Sequence, residues 1–172
     1  VLGSADSDLT VSDNVTLDAS SEKILIGAAD LILQGGFFMK DGLVSSTGGT
    51  ISFEKGGEQS GGSLDVSGIT LNLGGDFSKT GGTLTTSEDD TILELAESLT
   101  LTSDTPLGVK TLKLNDKTLT LGSESTDLTV SDPMTLNDSG EQIRTNSADL
   151  IMNGLLTVAN GGIDSDNGTV TF

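Results

Sequence analysis

Carboxylates are the most numerous reactive groups in the chain, with 26 Asp and Glu, and some of them recur in pairs. Asp8 and Asp30, and again Asp127 and Asp149, stand just before residues that read as the first inward position of a strand; Thr50, Thr70, Thr111 and Thr169 hold the same point elsewhere. Two carboxyl groups flanking a glycosidic bond hydrolyse it, one as acid and the other as base or nucleophile. An acidic pair on an outer strand would therefore suit a polysaccharide hydrolase or lyase. The pairs recur with the sequence instead of converging once, which favours a corner ladder in which Asp and Thr oxygens accept backbone N–H bonds of the next turn. The run Asp164-Ser165-Asp166-Asn167-Gly168 alternates oxygen ligands ahead of a turn glycine, as the start of a calcium loop does, and makes Asp164, Asp166 and Asn167 weak calcium candidates. Ser45-Ser46-Thr47-Gly48-Gly49 stands at the equivalent place earlier in the chain, so this motif does not repeat. Acidic corners such as Glu88-Asp89-Asp90 would hold a cation more loosely. No other cofactor is expected.

Absences narrow the chemistry further. The chain has no Cys, His, Tyr or Trp. That removes a thiolate nucleophile, a Ser–His pair, an imidazole acid or base and the usual zinc ligands. Carbohydrate clefts also use aromatic platforms and a basic residue beside acidic sugars, and this chain offers five Phe and one arginine, Arg144, whose counterpart in the other copy is Leu25. No catalytic residue is assigned, and the chain is not expected to be an enzyme. A file of outward threonines, Thr16, Thr100, Thr135 and Thr157 with Thr120 from a shifted coil, invites comparison with ice-binding surfaces; Phe38 and the Gly56-Gly57 coil interrupt it. Phe38, between the inward Phe37 and Met39, points outward and is the candidate lateral contact. The Asn-x-Ser/Thr tripeptides at Asn14, Asn137 and Asn167 arise at chance frequency in so Ser- and Thr-rich a chain.

These side chains are positioned by a repeat. Asp8-Leu9-Thr10-Val11-Ser12-Asp13 returns as Asp127-Leu128-Thr129-Val130-Ser131-Asp132, and residues 1–53 match residues 120–172 at 24 of 53 positions without a gap. Residues 1–119 are one repeat and 120–172 the start of a second, so the segment reads as part of a longer array. Inside it, apolar pairs spaced by two begin at Leu9/Val11, Leu31/Leu33, Ile51/Phe53, Leu71/Leu73, Leu93/Leu95, Leu112/Leu114, Leu128/Val130, Leu150/Met152 and Val170/Phe172. Their steps run from 16 to 22 residues, six to each repeat. Spacing by two is the strand period and sends both side chains to one face. Second pairs follow (Val15/Leu17, Phe37/Met39, Leu99/Leu101, Met134/Leu136, Leu156/Val158), then a weaker third set (Ile24/Ile26, Val44, Leu64/Val66, Leu84, Leu107, Ile143, Ile163). Three strands in a coil of about 20 residues predict an all-β, parallel β-solenoid of triangular section, with 8 to 9 coils in one continuous rod. The first set of pairs, Leu9 to Met152, is its inward ladder.

Charge points the same way. Eight basic residues against 26 acidic leave a net charge of −18. Such a surface repels nucleic acid and anionic lipid, and keeps rods from clumping side by side. Neither a nucleic-acid partner nor insertion into a membrane is expected. Both solenoid ends expose unpaired backbone groups, so flanking repeats, or other copies docked end to end, are the expected partners, with lateral bundling into fibres as a further arrangement.

The stretch from Gly62-Ser63-Leu64-Asp65-Val66 through Gly81-Gly82-Thr83-Leu84, and the closing Gly168-Thr169-Val170-Thr171-Phe172, resemble repeats of large bacterial surface proteins, the filamentous-haemagglutinin-like and autotransporter-type adhesins. The resemblance implies right-handed coils, export and an extracellular, cell-surface role in adhesion. Together these readings lead to an extracellular structural filament or adhesin stalk. The alternatives are an adhesive module recognising a glycan or matrix protein, a carboxylate-dependent polysaccharide-degrading enzyme and an ice-binding protein.

Overall fold

The computed structural model describes every residue except Leu2, Ala5 and Asp6; the Leu2 match between the copies lies outside the described residues. It holds 22 short strands and, among the described residues, no helix. All eighteen strand pairings are parallel. Each strand pairs with one about a coil away along the chain, so the chain winds as a parallel β-solenoid of about eight three-sided coils.

The first face stacks Leu9–Val11, Leu31–Leu33, Thr50–Phe53, Thr70–Leu73, Ile92–Leu95 and Thr111–Lys113. The second runs from Val15–Leu17 and Phe37–Met39, through the starts of Gly57–Asp65 and Phe77–Thr85, to Leu99–Ser103, Thr118–Leu121, Gln142–Arg144 and Gly162–Asp164. The third begins with Lys23–Ile26 and Leu43–Ser46 and takes the ends of the two nine-residue strands. It continues as Leu107–Val109, Leu128–Val130, Leu150–Met152 and Val170–Thr171. Leu84 and Leu107 line one small internal cavity, which joins the two parts. The nine-residue strands turn the corner between second and third faces without a break. They do so at Gly62 (φ 66°) and Gly82 (φ 72°). A Cβ on Gly82 would also stand 2.5 Å from the Gly61 carbonyl carbon, so backbone geometry and space both require glycine there.

The core is the column of inward side chains. Leu31, Leu33, Ile51, Phe53, Leu71, Leu73, Leu93, Leu95, Leu112, Leu114, Leu128, Val130, Leu150 and Met152 are all buried. Leu9 is 39% exposed and Val11 half-buried, because the first coil has a neighbour on one side only. At Gly57 the second face offers no side chain between Phe37 and Phe77. Phe53 fills the gap from the first face of the same coil, stacking on Phe37 (centroids 4.7 Å apart) and on Phe77 (5.8 Å).

One register departs from the sequence pattern. Leu128 pairs with Leu107, and Leu150 and Val170 follow it up the third face; none of them stacks on Leu112. The first face is continued instead by Met134–Leu136 and Leu156–Val158, tied on by Thr111 Oγ1 donating to Asp132 Oδ2 at 2.6 Å. The apparent 16-residue step from Leu112 to Leu128 is therefore two faces of a coil. Steps along the first face from Leu9 to Leu112 run from 19 to 22 residues. The reading of six coils per repeat is refined to five turns and two faces. The fifteen strands before Leu128, two of which each cover two faces, make 17 faces, and because 17 is not a multiple of three the next repeat starts one face out of phase.

Local structure is nevertheless copied. Asp8 Oδ1 accepts the Asp30 N–H (2.9 Å) as Asp127 Oδ1 accepts that of Asp149 (2.8 Å). Glu22 Oε2 accepts from Asp18 N–H (2.7 Å) as Glu141 Oε2 accepts from Asn137 N–H (2.7 Å). The same corners and strands are built twice and turned by one face.

Candidate functional site

The paired carboxylates lie at the corner that precedes Leu9, Leu31, Leu128 and Leu150. Beyond the bonds above, Asp30 Oδ1 accepts Thr50 N–H at 2.7 Å and Asp149 Oδ1 accepts Thr169 N–H at 2.8 Å. Each carboxyl thus holds the backbone of the following coil, a charge-assisted bond where a loop amide would otherwise face water. The arrangement is a corner ladder, present in both copies on different faces.

The outward threonines separate into two files. Thr100 and Thr120 are neighbours on the second face, below which Thr16 stands on Phe38; Thr135 and Thr157 pair with each other on the first. The phase shift dissolves the single array read from the sequence. The second face carries two outward columns offset by two residues, one of Thr16, Phe38, Glu58, Ser78 and Thr102, the other of Thr100, Thr120, Arg144 and Asp164, and both are too mixed to present a flat hydroxyl lattice.

Two shallow grooves lie along this face. Phe38 is 37% exposed and stands at the edge of one, about 330 Å³, with Gly36, Gly56 and Gly57 leaving the space and Lys55, Glu58 and Asp76 at the rim. The other, about 360 Å³, is lined by Asp76, Ser98, Thr100, Thr118, Thr120 and Arg144; Asp76 is occupied in accepting the Thr100 N–H at 2.6 Å. On the first face, Ser52, Glu54, Asn72, Gly74, Ala96 and Glu97 line a third, about 300 Å³, where Asn72 Oδ1 is shielded from solvent without a protein partner.

Asp164, Asp166 and Asn167 are exposed in the corner after Gly162–Asp164, and the Asn167 and Gly168 N–H groups both donate to Asn146 O (2.8 and 2.7 Å). Glu88 folds across Gly108, with Ser131 and Asn153 beyond it as donors at 3.4 and 3.5 Å. Among the described residues no group of three or more acidic side chains is placed to hold a metal ion.

The residues that sequence reasoning missed are inside. Inward positions of the second face read Leu17, Met39, Gln59, Lys79 and Ser103, so the apolar column turns polar over three coils. Gln59 is fully buried, its Nε2 donating to Thr83 O at 2.9 Å and its Oε1 without a protein partner. Lys79 is 2% exposed and its Nζ contacts Asp104 Oδ1. Ser103 N–H donates to the buried Thr126 Oγ1 at 2.9 Å. The signal was present: Lys79 follows Phe77 by two, the spacing that puts Leu17 and Met39 inside.

No family model, curated protein or solved structure matches the chain.

Proposed function

We propose that this chain is a structural spacer, a segment of an extracellular filament or adhesin stalk in which shape is the function. The observation that carries the reading is the continuity of the stack across the repeat boundary, where Leu107 pairs with Leu128 and the second copy prolongs the rod of the first. Three features support it. Stability is distributed along the axis, coil on coil, so length can grow without a larger core. The surface carries a net charge of −18, which keeps rods dispersed. The outer grooves are shallow, and the corner carboxylates are engaged in holding backbone.

The test is dimensional. Proteins carrying one, two and three copies of residues 1–119 are compared by small-angle scattering and electron microscopy. A spacer lengthens by about 27 Å per copy at constant width, from five turns and two faces at ~4.8 Å each. A constant length with growing width overturns the reading. Surface exposure is checked by protease shaving of intact producing cells, which removes an external stalk and spares an internal protein.

The groove beside Phe38 favours a second reading, an adhesive module that takes a sugar ring on the exposed aromatic face. Screening Phe38→Ala against the parent on immobilised glycans separates the two; a plain spacer binds none.

A further inference from the structure

Among the described residues Lys79 is the one buried cation. Lys23, Lys40, Lys55, Lys113 and Arg144 are exposed and Lys110 and Lys117 half-buried, whereas Lys79 is 2% exposed. Burying an amine beside a carboxyl group is a poor way to gain stability; an apolar pair of the same volume does as well or better. The same inward position holds Leu17 and Met39 in the first two coils, so an apolar side chain fits this column. A lysine there calls for another explanation.

The surroundings hold the pair with unusual constraint. Lys79 lies in register with Ser103, and the Asp104 N–H donates to the Lys79 carbonyl at 3.0 Å, so the two backbones are clamped together. The backbone turn that carries Asp104 is closed by its neighbours: Ser103 Oγ donates to Thr105 O at 2.7 Å and accepts the Thr105 N–H at 3.2 Å. Within this clamp Lys79 Nζ touches Asp104 Oδ1. The amine end is enclosed, while the Asp104 side chain is 43% exposed.

We infer that Lys79 and Asp104 condense into an intramolecular amide, an isopeptide cross-link between the fourth and fifth coils. The Nζ–Cγ bond forms and one Cγ–O bond breaks. An ammonium facing a carboxylate already contains both protons that leave with that oxygen as water, so no further reagent is consumed. Held reactants reach effective concentrations on the order of 10⁵ M or more, which offsets the reluctance of an amine and an acid to condense in water. The open side of Asp104 lets the water leave, and the enclosed side shields the amide from hydrolysis. The product removes the charge of the buried amine and staples two coils within the stretch where the second-face column turns polar. In a spacer under tension such a bond stops neighbouring coils from peeling apart.

Intact-mass spectrometry of the purified, denatured chain decides the matter. The cross-linked chain is lighter than its sequence by one water, and a tryptic digest yields a branched peptide joining Lys79 to Asp104, with no cleavage after Lys79. Asp104→Ala and Lys79→Met chains run at full sequence mass; the measurement needs neither to fold. A parent chain at full mass overturns the proposal and leaves an ordinary ion pair. A water lost equally from Asp104→Ala also overturns it, since that loss arises elsewhere, for example by cyclisation at another Asp.

Discussion

Truncating Phe53 tests whether the core is packed as a continuous column or merely coil by coil. Phe53 is fully buried and sits between the Phe37 and Phe77 rings at 4.7 and 5.8 Å, with interplanar angles of 12° and 10°. Phe→Ala in a core costs about 3–5 kcal/mol through lost transfer energy and the cavity left behind. Each stacked pair adds roughly 0.5–1.5 kcal/mol beyond area burial. Because these contributions overlap, the expected loss is about 5 kcal/mol, a large part of the roughly 5–15 kcal/mol by which a domain is stable. The informative partner is Gly57. A Cβ built there meets ring carbons of Phe37 and Phe77, each at 3.3 Å, because Phe53 already occupies the space between them. Gly57→Val should destabilise the parent by about 1–3 kcal/mol through overpacking. In the Phe53→Ala background the same change should restore about 1 kcal/mol or more by filling the void. Urea unfolding followed by circular dichroism gives the four free energies of the cycle, and the coupling appears as a change of sign. Additive effects, with Gly57→Val equally harmful in both backgrounds, would refute the claim that Phe53 stands in for the missing side chain.

Other outcomes follow from burial and register. Leu128→Ala, at a fully packed rung, should cost about 2–5 kcal/mol, whereas Leu9→Ala at the 39% exposed equivalent should cost under about 1 kcal/mol; denaturant melts that rank them equally would contradict the packing. Asp30→Ala and Asp149→Ala should each lose about 1.5–3 kcal/mol, by the same amount within error, since both carboxyls accept the same backbone bond on different faces. Since the chain has no Cys, register can be read by oxidation: a Thr120→Cys/Arg144→Cys pair should close a disulfide, whereas Thr120→Cys/Thr135→Cys should stay reduced; the opposite pattern would restore the six-coil register.

What the sequence made legible was the coil. Apolar residues spaced by two, glycine pairs between them and a repeat without gaps led to stacked parallel strands, and the inward ladder from Leu31 to Met152 is buried. What it hid was which face each strand joins. A Leu-x-Val pair looks alike on all three faces, so Asp127-Leu128-Thr129-Val130 was placed where its copy Asp8-Leu9-Thr10-Val11 lies. Only the count of faces along the repeat decides otherwise, and a strand that covers two faces, such as Gly57–Asp65 or Phe77–Thr85, carries no marker of that in its apolar spacing. The same degeneracy drew Thr135 and Thr157 into a file with Thr100. Lys79 was passed over for a different reason: charge reads as surface even when spacing says interior. Phe53 and Gly57 show a third limit, since one fills the space the other vacates only through packing between faces, which no local pattern encodes.

The one-face offset between copies bears on how a long filament behaves as an object. A coil that is loose or bulky on one side tends to bow the axis, and in an in-phase array every copy would bow it in the same direction, winding the whole into an arc. In an array built with the offset seen here, each further copy would aim its irregularity a third of a circle further round, and after three copies the deflections would cancel. Straightness over long distances would then come from the arithmetic of 17 faces wound on a three-sided rod, with no need for any coil to be perfectly regular.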